Sequence, residues 1–263
     1  MERSDRAEQY ARFVAPTMLG VARRAIALAG LEAGGAVLDA GANTGVVAFL
    51  AATIVGHDGT VVAVDPSHEY LGVGEARATA AGYRGIRWQA SSLAVLPYAH
   101  ESFDAAFSVH ALSLVDDPMA LLEELRRVTV EGGAVVVATW GSRRGNEWMG
   151  AVERAARWAG LETLPPIAPV SEEGNLEALM QAAGLEGVEG LRFSEPLRVA
   201  GIDGLWQWVT ALRPWAGAFE DLEESVATRA RDRLAQEFDG RTRAGELRVG
   251  REMTIVRATV APS

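Results

Sequence analysis

The sequence predicts an α/β fold built on a doubly wound, mostly parallel sheet, and three observations carry that expectation. Short strands alternate with amphipathic helices between residues 36 and 140. The strands are continuously apolar, as in the Val/Ala run Ala134–Thr139, which marks strands covered on both faces. The first strand also runs into a glycine-rich turn that opens a helix, in Val37-Leu38-Asp39-Ala40-Gly41-Ala42-Asn43-Thr44-Gly45.

The elements follow in order. Residues 3–13 and 15–30 read as two helices, with Pro16 at the start of the second. Strands are expected at 36–40, 60–64, 86–90, 103–108 and 134–139, and helices at 46–55, 69–81 and 118–128. In the last helix Leu121, Leu122, Leu125 and Val128 share one face. Gly56-His57-Asp58-Gly59 and Glu131-Gly132-Gly133 read as turns. After residue 141 the pattern changes. Helices are expected at 146–160 and 174–183, a proline-rich stretch at 161–170, and strands at 186–199 and 246–260. A Trp-rich and then charged helical insertion, 202–240, lies between those strands. The chain reads as one domain over 1–263: N-terminal helices to 30, a ligand-binding core at 36–140, and an elaborated half from 141.

Composition narrows the function. Among 263 residues, 49% are hydrophobic, enough for a full core. The net charge of −10 argues against a general nucleic-acid binder. There is no cysteine and only four histidines, at 57, 68, 100 and 110, so no metal site is expected. MERSDRAEQY is charged and lacks the apolar core of a signal peptide, and no apolar run is long enough to span a membrane. These features predict a cytoplasmic protein.

The first turn implies a ligand held close to backbone, because glycine permits close approach and the first N–H groups of a helix lack partners. A dinucleotide would want G-x-G-x-x-G and a nucleoside triphosphate G-K-S/T. The turn is instead G-x-x-x-G, from Gly41 to Gly45, with a carboxylate, Asp39, inside it. A carboxylate repels pyrophosphate and suits an ammonium. The second strand ends in Val64-Asp65-Pro66-Ser67, and an acidic residue there suits the two hydroxyls of a ribose. S-adenosylmethionine carries both groups.

Four segments, VLDAGANTG (37–45), VVAVDPS (61–67), LPYAHESFDAAFSVHAL (96–112) and VDDPMALLEELRRVTVEGGAVVVATW (115–140), resemble in order and spacing the class I S-adenosylmethionine-dependent methyltransferases. They resemble in particular the ubiquinone/menaquinone-biosynthesis branch. The resemblance implies a seven-stranded Rossmann-like sheet with an N-terminal helical lid, and a helical insertion before the last strand. It implies that Asp39 and the backbone of Gly41, Ala42, Asn43 and Gly45 hold the methionine end. Asp65 would take the ribose, with Pro66 and Ser67 beside the adenosine and Ser91, Ser92 and Leu93 around the adenine. Ser108, Val109 and His110 would stand next to the methyl group, and Tyr10 on the lid would touch the methionine end. Two positions depart from the family: Asn43 stands where glycine is usual, and Ser92 where an acidic residue is usual. Asparagine tolerates the left-handed region.

The implied reaction is methyl transfer to a small, partly apolar acceptor at oxygen, nitrogen or carbon. His110 is the best-placed base, with a strand-capping or pocket-lining role as the alternative. Trp206, Trp208 and Trp215 are expected to wall an acceptor pocket, with plain core or a homodimer contact as the alternatives. The departures at Asn43 and Ser92 also keep open a cofactor-binding or merely fold-retaining protein that does not transfer methyl, as a pericyclase-like or isomerising enzyme or a regulatory module.

Overall fold

A computed structural model describes residues 3–161, 164–165, 174–220 and 222–262. Residues 162–163 and 166–170 of the proline-rich stretch, and residue 221 of the acidic run, lie outside them.

The sheet is built from β1 (Ala36–Ala40), β2 (Thr60–Asp65), β3 (Ile86–Ala90), β4 (Phe103–Val109), β5 (Thr129–Trp140), β6 (Leu185–Ser194) and β9 (Glu252–Val260). Its spatial order is β3-β2-β1-β4-β5-β9-β6. β1 to β5 pair in parallel, and β9 runs antiparallel between β5 and β6. The order reverses at β1, which has β2 on one side and β4 on the other. In such sheets the crevice beyond the carboxyl ends of the strands at the reversal is the ligand position.

Each face of the sheet carries its own core. Val37, Phe107, Val136 and Ile255 point to one face, where they meet α2 (Leu19–Ala29), α3 (Val46–Val55), α4 (His68–Ala80) and α6 (Glu147–Trp158). Leu38, Ala106, Val135 and Val256 point to the other, under α5 (Pro118–Val128) and α7 (Asn175–Ala182). α5 starts sharply because Asp117 Oδ1 accepts from Ala120 N at 3.1 Å and Pro118 needs no helical partner for a missing N–H.

The N-terminal segment differs from two separate helices. α1 (Arg3–Gln9) runs without a break into a π-helical turn, Tyr10–Val14, then a 3₁₀ turn, Ala15–Met18, then α2. Pro16 is the cause, since it has no N–H for the carbonyl one turn back and the chain must change its winding around it. Glu131-Gly132-Gly133 is likewise not a separate turn. It is a bulge at the start of β5, where the register passes from Phe103↔Thr129 to Ala105↔Ala134 and Gly132 has φ 73°.

The expected strands 186–199 and 246–260 each split in two. Pro196 interrupts the first and Gly250 the second, so β7 (Leu197–Val199) and β8 (Leu247–Val249) pair in a small sheet of their own. The insertion between them is α8 (Gly201–Ala211), α9 (Arg213–Glu220) and α10 (Glu224–Glu237). It is fastened to the N-terminal segment by a hydrogen bond from Trp208 Nε1 to Thr17 Oγ1 at 3.1 Å, and by an ion pair between Arg6 and Glu220. Together they form one cover over the carboxyl ends of β1, β2 and β4.

Candidate cofactor site

The turn after β1 is held by backbone. Gly41 N and Ala42 N donate to Val64 O at 2.7 and 2.9 Å, and Gly45 N donates to Ala42 O at 2.8 Å. Asn43 N donates to Asp65 Oδ2 at 3.0 Å. These four N–H groups are therefore spent inside the protein. Of the backbone expected to hold the methionine end, these amides are taken, and the carboxylates Asp39 and Asp65 supply the site's charge. Asn43 sits at φ 51°, a left-handed value that asparagine adopts. The two flanking glycines are required sterically. A Cβ on Gly41 would lie 2.1 Å from Ala111 Cβ, and one on Gly45 would lie 2.3 Å from the Trp88 ring.

Asp39 and Asp65 stand on either side of this turn, and both are buried. Asp39 Oδ2 accepts from Ala48 N at 3.0 Å in the first turn of α3. Burial pushes its carboxyl up to about 7, against the Ala48 hydrogen bond, with the Asp65 charge adding to the rise. Near neutrality this carboxyl is poised between its two states, and an arriving ammonium would hold it ionised. It lines a narrow cavity of about 20 Å³ together with Tyr10, Met18, Val109 and His110. Tyr10 packs edge-on against Tyr70 with ring centroids 5.5 Å apart, and burial raises its hydroxyl, so it stays a neutral phenol.

Beyond Asp65 opens a cavity of about 470 Å³, within the usual size range of small-ligand sites. Pro66, Leu93 and Ala111 line it. Ser67 N donates to the carboxylate at Asp65 Oδ1, 2.9 Å, and Ser91 N donates to the backbone carbonyl of Asp65 at 3.2 Å, which ties the loop after β3 to the end of β2. Ser92 Oγ accepts from Ala94 N at 3.2 Å and closes its own turn.

His110 directly follows β4 at φ 62°, with its backbone N–H donating to Ala138 O at 2.7 Å. The ring lies on Trp140, centroids 4.2 Å apart and planes 32° apart. Both ring nitrogens are buried without a partner, as is the Ser108 hydroxyl. Burial, and then the Arg251 guanidinium, lower the imidazole to about 3. His110 is therefore neutral at every physiological pH and a weak proton acceptor, better suited to line the pocket and offer a hydrogen bond.

The tryptophans of the insertion take a different place from the expected acceptor wall. Trp208 and Trp215 are 0% and 1% exposed and interlock edge-to-face with Trp148, at 4.8 and 5.4 Å. Trp208 also meets Trp140 at 6.1 Å, while Trp206 packs on Phe219 at 5.4 Å. Full burial makes Trp208 and Trp215 core; Trp208 and Trp148 support the Trp140 ring on which His110 rests, and Trp215 backs Trp148. Arg143 pairs with Glu153 on the surface.

Sequence reasoning missed Arg213. It starts α9, 148 residues from Asp65, and donates Nη1 to Asp65 Oδ2 at 2.7 Å and Nη2 to Oδ1 at 2.8 Å. Nη1 also donates to Asn43 Oδ1 at 3.0 Å, and the guanidinium lies 4.7 Å over the Tyr70 ring. Burial works against its charge, but the Asp65 carboxylate more than restores it. The available signal was a lone arginine in an apolar, Trp-rich stretch, Trp208-Val209-Thr210-Ala211-Leu212-Arg213-Pro214-Trp215.

Among the described residues no cluster of His, Asp and Glu could hold a metal ion, and no helix is long and apolar enough to cross a membrane.

Residues 38–137 match the family model of the methyltransferase domain. A protein of Mycobacterium tuberculosis named as uncharacterized is 29% identical over 188 residues, 72% of this chain and 66% of that one. The ubiquinone/menaquinone biosynthesis C-methyltransferase of Rubrivivax gelatinosus is 35% identical over 114 residues, 42% of this chain and 41% of its own length. The chain thus matches two thirds or less of these curated relatives. The crystal structure of a SAM-dependent methyltransferase from Aquifex aeolicus superposes with a TM-score of 0.58 at 17% identity, covering 99% of this chain and all of that one.

Proposed function

We propose that the chain is a class I S-adenosylmethionine-dependent methyltransferase that transfers a methyl group to a small, partly apolar acceptor, a reading that its similarity to the methyltransferase domain over residues 38–137 supports. The observation that carries the reading is the pair of buried carboxylates, Asp39 and Asp65, flanking one turn at the reversal of the sheet. They fit the two ends of the cofactor. Asp39 pairs with the ammonium, which offsets the cost of burying its charge. Asp65 accepts from the ribose hydroxyls. Pro66 and Leu93 flank the adenine, with Ser91 and Ser92 at its edge.

Bound in this way, S-adenosylmethionine supplies a methyl group on a sulfonium, which leaves without acid assistance. What remains for the protein is alignment and exclusion of water. Val109, His110 and Ser108 close the far side of the methyl position, and Tyr10 and Met18 close it from above. The neutral His110 ring orients the acceptor by a hydrogen bond rather than by taking its proton. The net charge of −10 speaks for a small molecule over nucleic acid.

The test is incubation of the full chain with methyl-labelled cofactor and a panel of small oxygen, nitrogen and carbon nucleophiles. Label in an acceptor, lost with Asp65→Asn, supports the proposal. Cofactor binding with no transfer to any acceptor would instead favour the non-transferring alternative.

A further inference from the structure

Arg213 occupies the place that the proposed function gives to the ribose. Its fork presents one N–H to each oxygen of Asp65, at 2.7 and 2.8 Å, as a vicinal diol would present one O–H to each. Asp65 is fully buried, and the two demands on it exclude each other. A diol can reach the carboxylate only when the guanidinium leaves.

We propose that Arg213 is an internal stand-in for the cofactor's ribose, a latch that holds the empty site closed and that the cofactor must displace. The inference rests on the reading of Asp65 as the ribose-binding carboxylate. Three further observations support it. Asn43, which stands where the family usually has glycine, gives Arg213 a third acceptor in its side-chain carbonyl, at 3.0 Å. A glycine would keep the turn and lose that bond, so the departure at position 43 and the lone arginine of the insertion form one device. The guanidinium also lies on Tyr70, which packs on Tyr10. The latch is thereby continuous with the N-terminal segment that leaves only about 20 Å³ over Asp39, while the adenosine side is open at about 470 Å³. Finally, the insertion that carries Arg213 is joined to that same segment through Trp208–Thr17 and Arg6–Glu220. Release of Arg213 and opening over Asp39 are then one movement. Asp116 lines the same cavity as Arg213 and provides a carboxylate to receive it after displacement.

The test is calorimetric titration of the full chain with S-adenosylhomocysteine, comparing wild type with Arg213→Met and Asn43→Gly. Met fills the aliphatic volume of the arginine without its donors. A latch that costs the cofactor a charge-assisted bidentate contact predicts binding about ten- to a hundredfold tighter for Arg213→Met. For Asn43→Gly, which removes one neutral-acceptor bond, it predicts binding about two- to tenfold tighter. Asn43→Gly keeps the test open should Arg213→Met not fold. Unchanged or weaker binding in the folded variants, with a wild type that binds, overturns the latch alone and makes Arg213 a ligand residue or a structural one. No binding by wild type or either variant overturns the cofactor site itself, and the latch with it.

Discussion

Asp39→Asn should stabilise the empty protein in weakly alkaline buffer and not in acid. The unfolded chain loses the Asp39 proton at the ordinary carboxylate value, 3.8, while the folded chain holds it up to about 7. Between those values the folded state binds the extra proton, so stability falls as pH rises across the window. A shift of roughly three units corresponds to about 4 kcal/mol, fully present as a penalty above pH 7 and absent below pH 4. Asparagine keeps an oxygen for Ala48 N and carries no charge, but it buries an amide N–H₂ with no evident partner, a cost of about 1–3 kcal/mol at any pH. The net gain at pH 8 is then about 1–3 kcal/mol. The pH-dependent part is the sharper quantity, because the amide cost cancels in it. Urea unfolding of wild type and Asp39→Asn at pH 8 and pH 4.5 measures it directly. The advantage of the variant should be larger at pH 8 by about 3 kcal/mol. An advantage that is the same at both pH values would refute the reasoning, since Asp39 would then be ionised in the folded protein without penalty.

Three other outcomes follow from the site and its supports. Gly45→Ala should destabilise by about 2 kcal/mol or more, because it adds the Trp88 clash to a φ of 86°; Gly34→Ala, at φ 83° with open space around it, should cost only about 1 kcal/mol, both read by urea unfolding. Trp208→Ala should cost about 3–5 kcal/mol in the same assay, and Trp206→Ala clearly less, since Trp206 is only partly buried. His110→Asn, which tolerates the positive φ and retains a polar group, should keep methyl transfer within about tenfold of wild type, whereas loss of a true general base costs about 10²–10⁴-fold.

The parts of this molecule that could be read from its sequence are those fixed within a few residues. Asp39 and Asp65 were legible because each ends an apolar strand and is followed at once by its turn. The parallel core was legible because doubly buried strands carry no polar alternation. The strand breaks at Pro196 and Gly250 were missed because the flanking segments, such as Leu197–Val199, have ordinary strand composition, and only pairing in a second sheet separates them. The Trp208 and Trp215 rings looked equally fit for a pocket wall or a core; packing against Trp148, on another helix, decides between these. His110 was placed correctly at the end of β4, but its protonation depends on burial by neighbours and on Arg251, which belongs to the far C-terminal part of the chain. Arg213 was out of reach for the same reason. Its role is a relation between residues 148 positions apart, and the local pattern, a lone arginine in an apolar stretch, does not name the partner.

Titration calorimetry of S-adenosylmethionine into wild type, Asp39→Asn and Asp65→Asn at pH 8 tests the two-carboxylate site most directly. The account predicts one-to-one binding by wild type, weakened about tenfold or more by Asp39→Asn, and by Asp65→Asn when compared in the Arg213→Met background where no guanidinium competes for that carboxylate, since each removes a charged hydrogen-bond partner of the cofactor. Binding that both substitutions leave unchanged in those comparisons would contradict it.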